Sequence, residues 1–64
     1  MRYKLNELKV GQKVIVNTWA GGNRSGTIDM IEKDIKNGYP GIEYTDNKGD
    51  SWWCYLDQVI EVRK

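Results

Sequence analysis

Turn-forming residues interrupt this chain so often that no long helix fits between them. Gly11, the run Gly21-Gly22-Asn23, Gly26, Asn37-Gly38, Pro40-Gly41 and Asn47-Lys48-Gly49 all fall within 64 residues. A helix would need apolar side chains recurring every three to four residues through at least ten or so positions, and no segment sustains that period. What the intervals do sustain is alternation. Val14 and Val16 alternate with Lys13 and Asn17, which predicts a half-buried strand over 13–17. The pattern resumes over 26–32, with Ile28 and Met30 facing one way, and shorter strands are predicted over 41–45, 52–55 and 59–62. Thr18 to Ser25 reads as a mobile or tightly turned loop, and Asn37-Gly38 as a hairpin turn, since both residues tolerate positive φ. Pro40 limits where the third strand can begin or which edge it lies on, because it has no N–H to give a ladder. Asp46 to Asp50 is a second polar turn, Leu56-Asp57-Gln58 a single tight turn, and Leu5-Asn6-Glu7-Leu8 one helical or irregular turn.

A chain of this length makes one domain, residues 1–64, with no room for a second core. Ordering each residue costs about 1.5 kcal/mol, so nearly every apolar side chain is expected to be buried to break even. The longest aliphatic run, Val14-Ile15-Val16, is far too short for a membrane span or a secretory leader, and Met1-Arg2-Tyr3-Lys4 reads as a plain start. The expected location is the cytoplasm, with no membrane partner. Ten basic and nine acidic residues leave a net charge of +1, with both signs interspersed. That balance disfavours binding to nucleic acid through charge alone. The single cysteine, Cys54, precludes an intramolecular disulfide, fits a reducing compartment, and is expected to be a small buried hydrophobe.

The aromatic residues are unusual in kind. Three tryptophans and four tyrosines occur with no phenylalanine. Trp and Tyr are used where one end of the ring meets water or a partner. The densest cluster is Ser51-Trp52-Trp53-Cys54-Tyr55. On a strand, Trp52 and Cys54 share one face while Trp53 and Tyr55 share the other. Cysteine favours the interior, so Trp52 is expected in the core with it, leaving Trp53 and Tyr55 outside. The outer pair is either covered by the Trp19 loop or the N-terminal segment, or exposed as a patch for a partner. Trp19, Arg24, Trp53 and Tyr55 are therefore the candidate partner-binding residues, Arg24 offering a stacking or bidentate contact beside the patch.

Catalysis finds little support. There is no histidine, hence no common general base or metal ligand, and Cys54 has neither an activating partner nor a second thiol with which to hold zinc. Asn47-Lys48-Gly49-Asp50 matches a guanine-specificity motif but has no phosphate loop to accompany it. Asp46 to Asp50 half-matches a calcium loop, with Lys48 in a ligand position and no closing glutamate. No catalytic residue, metal or cofactor is expected.

The strand order resembles that of the SH3-like barrels, a group that includes KOW and Tudor modules and the small barrel subunits of photosynthetic complexes. Val10-Gly11-Gln12-Lys13-Val14-Ile15-Val16 is similar to the first strand of many such barrels. Ser25-Gly26-Thr27-Ile28 resembles the KOW glycine-then-aliphatic step, and Trp53 to Val59 resembles the SH3 stretch of outward Trp, inward aliphatic, 3₁₀ turn and final strand. The resemblance spans residues 8 to 62 and implies an all-β fold, a five-stranded SH3-like barrel with a short 3₁₀ turn before the last strand. Two departures bear on ligand choice. Trp19 to Ser25 has no carboxylate, and Tyr55 stands where SH3 domains carry proline, which disfavours proline-rich ligands of the usual kind. The trimethoprim-resistant dihydrofolate reductase built on this fold uses a Val-Gln-Ile-Tyr strand, of which Trp52-Trp53-Cys54-Tyr55 keeps only the last residue.

The expected function is that of a small non-catalytic binding module acting through an aromatic patch on a protein partner, as a bacterial, phage or mobile-element accessory protein. A second reading is a nucleic-acid-binding barrel in which Trp53, Tyr55 and Trp19 stack on bases and Arg24 meets phosphate. A third is a homo-oligomeric subunit whose patch is a self-interface. The expected state is a monomer or weak homodimer.

Overall fold

A computed structural model describes residues 3–63. Five strands are joined in one antiparallel sheet: β1 (Lys13–Thr18), β2 (Gly22–Lys36), β3 (Tyr39–Asp46), β4 (Ser51–Tyr55) and β5 (Val59–Arg63). Their order across the sheet is β4-β3-β2-β1-β5. Among the described residues β4 and β5 are not paired, so the sheet is open and the expected closure of a barrel is absent from the ladder. Two 3₁₀ turns accompany the strands, Leu5–Glu7 near the start and Leu56–Gln58 directly before β5. Leu56–Gln58 falls where the sequence predicts a tight turn, and Leu5–Glu7 where it predicts one helical or irregular turn.

β2 is much longer than expected. The segment read as a loop from Thr18 to Ser25 is mostly strand, because Thr18 pairs with Gly22 and the ladder continues to Lys13↔Thr27. The chain reverses in Trp19-Ala20-Gly21 alone, where Gly21 and Gly22 take φ of 121° and 104°. These left-handed conformations are nearly free to glycine and costly to other residues. The first part of β2 pairs with β1 and the remainder, from Gly26 to Lys36, with β3.

Alternation along β2 breaks once. Ile28 pairs with Tyr44 but Met30 pairs with Glu43, so Asp29 is an extra residue and the strand bulges. Ile28 is fully buried, whereas Met30 is 47% exposed and Ile31 packs against the core instead. The expectation that Ile28 and Met30 share an inner face is thus overturned by a one-residue register shift. Pro40 lies in β3, within the stretch between Glu32 and Lys36 pairings where the β2–β3 register also shifts, so no regular ladder bond is lost to its missing N–H.

The core is formed by Leu8, Val14, Val16, Ile28, Ile42, Tyr44, Cys54, Leu56 and Val59, with Tyr3, Leu5, Ile31 and Val62 packed around it. Leu8 comes from the segment after the first 3₁₀ turn and Leu56 from the second, so both turns place a hydrophobe against the sheet's inner face. Gly26 is required by close approach. A Cβ there would lie 2.6 Å from the Thr45 carbonyl oxygen and 2.7 Å from the Tyr44 ring.

Candidate functional site

The outer side of β4 gathers three aromatic rings around Tyr55. Trp53 precedes it by two residues and so lies on the same face, its ring centroid 5.2 Å from that of Tyr55 in an edge-on arrangement. Trp19, carried by the tight β1–β2 turn, approaches Tyr55 at 5.8 Å, and Tyr39, at the start of β3, approaches at 5.8 Å from another side, also edge-on. Edge-to-face contacts at these separations are favourable, so the rings hold one another in place. The expected alternatives for the outer pair were cover or exposure, and the structure shows how they combine. Trp19 does lie against Tyr55, yet it is itself 75% exposed, so the turn enlarges the patch instead of hiding it.

Beside Tyr55 the surface is indented. An open groove of about 490 Å³ runs between Trp19, Tyr39, Pro40 and Tyr55 on its apolar side and Asn17, Asp57 and Gln58 on its polar side. Gln58 fixes one end of it. Its side-chain oxygen accepts from the Tyr55 backbone N–H at 2.9 Å, and its amide donates to the Asn17 carbonyl at 2.9 Å, tying β4 to the end of β1. Asp57 is exposed and is the one charged side chain lining the groove. Lys36 stands on the far side of the patch, its ammonium 5.4 Å from the Trp53 ring.

Of the residues singled out in the sequence, Trp19, Trp53 and Tyr55 are brought together, and Arg24 is not. Arg24 lies on β2 in phase with Gly26 and Ile28, on the inner face at the sheet's open end. Its guanidinium lies 3.7 Å from the centroid of the Trp52 ring and donates to the Tyr44 hydroxyl at 3.4 Å. Trp52 is correspondingly not the core residue that its shared face with Cys54 suggested. It pairs with Tyr44 near the end of β4, beyond the layer of Ile42 and Cys54, and is 41% exposed against 44% for Trp53. With no strand covering it, the indole stacks under Arg24 and its N–H donates to Asp46 at 2.8 Å.

The electrostatics of this second cluster follow from those contacts. The Trp52 N–H, then the Asp50 and Lys48 backbone N–H groups, hold the Asp46 carboxyl below its ordinary range. Burial pushes the Tyr44 hydroxyl up, the Arg24 contact opposing it. Cys54 is buried, and burial alone pushes its thiol up to about 12. At neutral pH it is protonated and unreactive. Among the described residues no three His, Cys, Asp or Glu side chains are gathered as a metal site requires.

Tyr39, Pro40, Asn17 and Gln58 were missed as site residues. Tyr39 follows the Asn37-Gly38 turn directly and Pro40 follows it, so an aromatic-proline pair at a hairpin exit was the available signal. Gln58 left none, since its role is a bond made across 41 residues. No protein-family model matches the chain, and neither a curated protein nor a solved structure does so. No helix among the described residues is long and apolar enough to cross a membrane.

Proposed function

We propose that this protein is a small non-catalytic binding module that takes an extended segment of a protein partner in the groove between Trp19, Tyr39, Pro40 and Tyr55. The observation that carries the reading is the convergence of two largely exposed rings, Trp19 and Tyr39 at 75% and 62%, on a third that lines an open channel. Exposed rings held by neighbouring rings lose little entropy on binding, and aromatic-lined grooves suit extended, weakly hydrated peptide backbones. Asp57 gives the polar wall a negative charge, so a partner segment carrying a basic residue fits it best.

The proposed architecture behind the groove is an SH3-like barrel. Supporting it are the strand order, in which β5 returns beside β1, and the 3₁₀ turn between β4 and β5. A buried free thiol suits action in a reducing cytoplasm, as an accessory protein of bacterial or phage origin would require.

Selection from a library of short extended peptides on the immobilised protein tests the function. Enriched sequences should combine apolar or proline residues with a basic one, and should lose binding to the Trp19→Ala variant. Enrichment that is indifferent to Trp19→Ala would remove the groove from the account. A single-stranded oligonucleotide that quenches tryptophan fluorescence with strong salt dependence, in the absence of any peptide ligand, would replace it with base stacking on the same rings.

A further inference from the structure

The two edges of the sheet are finished differently. β5 carries Glu61 and Arg63, ion-paired at 2.9 Å, and its Val62 N–H is taken by the Tyr3 hydroxyl at 3.2 Å. Charged side chains and capped donors are the ordinary means of keeping an edge from pairing with another chain. β4, the opposite edge, has one capped donor, the Tyr55 N–H held by the Gln58 side chain at its end, and is otherwise unprotected. Ser51-Trp52-Trp53-Cys54-Tyr55 is the one strand among the described residues without a charged side chain, it holds no proline, and its register with β3 runs without a bulge from Gly41↔Tyr55 to Thr45↔Ser51.

The hydrogen-bond phase of β4 fixes which groups it offers. Asp46 N–H donates to the Asp50 carbonyl at 2.9 Å, so that pair is a bonded pair of the β3–β4 ladder. Bonded and non-bonded pairs alternate in an antiparallel ladder, so Trp52 and Cys54 direct their backbone groups to β3. Ser51, Trp53 and Tyr55 direct theirs to the free edge. The Tyr55 N–H is accordingly found bonded to the Gln58 side chain. Trp53 sits at the middle of the offered edge, its N–H and C=O both turned outward.

We infer that β4 is a self-pairing edge, which joins a second copy of this chain antiparallel across a two-fold axis at Trp53. In that register Trp53 exchanges both backbone bonds with Trp53 of the copy, Trp52 lies opposite Cys54, and Ser51 lies opposite Tyr55, whose N–H stays with Gln58. A neutral strand meets itself with no like charges opposed, whereas β5 set against itself would have Glu61 and Arg63 to accommodate. The facing tryptophans form a cross-strand aromatic pair on the outer side. Trp53, at the two-fold, does not line the groove, whereas Tyr55, at the end of the paired segment, does, so the copy would run along one rim of it. The dimer would carry two such grooves.

Sedimentation velocity over a concentration series from low micromolar to millimolar tests this, with Trp53→Lys as the comparison. In one chain that substitution faces Glu43 on β3, which offsets the nearby Lys36, but at the two-fold it sets like charges together. Expected are a concentration-dependent dimer of the native protein and a folded monomer of the variant. A native protein that stays monomeric throughout, or a variant that dimerises equally, would overturn the inference. Native-state amide exchange decides it without any variant. Protection of the Trp53 amide should rise with protein concentration while that of Val62 stays constant, and unchanged protection at Trp53 would refute the edge pairing.

Discussion

The Arg24 guanidinium lies over the Trp52 ring, 3.7 Å from its centroid, and joins β2 to β4 across the width of β3. The stack closes the open end of the sheet above Tyr44, whose hydroxyl takes an Arg24 N–H. A double-mutant cycle of Arg24→Met and Trp52→Leu, read by chemical denaturation, should give a coupling of about 0.5–1 kcal/mol. Additive effects would show the two side chains to be neighbours that contribute nothing together.

Asp46 ties the same cluster to pH. Its carboxyl is held below the ordinary value of 3.8 by bonds from Trp52, Asp50 and Lys48. A carboxyl depressed by folding contributes its stability fully above the unfolded pKa, and loses it as pH falls through the folded one. The melting temperature of the native protein should therefore exceed that of Asp46→Ala at neutral pH. The gap should narrow steadily below about pH 4. Equal pH profiles would mean that the Asp46 bonds do not distinguish the folded state.

Trp52 and Trp53 should behave alike on truncation, despite occupying opposite faces. Each is about two-fifths exposed. Trp52→Ala and Trp53→Ala should each cost about 1–2 kcal/mol, well short of the roughly 3–5 kcal/mol of a fully buried Trp. Urea unfolding of both variants checks this, and a much larger loss for Trp52 alone would restore it to the core.

That pair shows what strand alternation can and cannot reveal. Period two correctly put Trp52 on the face of Cys54, but burial also depends on distance along the strand from the core's centre, which a sequence period does not carry. The same limit applies to Met30, whose face was reversed by the Asp29 bulge. Asn37-Gly38 was legible because its chemistry is local: φ of 56° and 81° at the two central residues makes the tight turn that those residue types favour. Trp19, Trp53 and Tyr55 were legible by type as aromatic residues suited to a surface, and the structure brings their rings together. Arg24 was misplaced beside them, since its phase along β2 relative to β4 depends on pairing. Gln58 and Tyr39 joined the groove through contacts between distant segments, which no local pattern encodes.

The glycines separate turn strain from steric crowding. Gly38→Val places a β-branched residue at a φ of 81° in open space, and should cost about 1 kcal/mol or more through backbone strain. Gly26→Ala keeps an allowed backbone but drives a methyl into the Thr45 carbonyl and the Tyr44 ring, and should cost about 1–3 kcal/mol. Thermal unfolding of the two variants distinguishes the causes. Gly38→Asn should recover part of the loss at the turn, since asparagine tolerates this conformation, whereas any side chain at Gly26 should destabilise.

The groove as a binding surface is tested most directly by Trp19→Ala, measured on one sample for both stability and affinity toward a library-selected peptide. Trp19 is three-quarters exposed and rests only against Tyr55 among the aromatic rings, so its removal should shift stability by less than about 1 kcal/mol. Affinity should fall about tenfold or more, as when an aromatic anchor is lost from an interface. An unchanged affinity in an equally stable variant would contradict the assignment of the groove as the site where the partner binds.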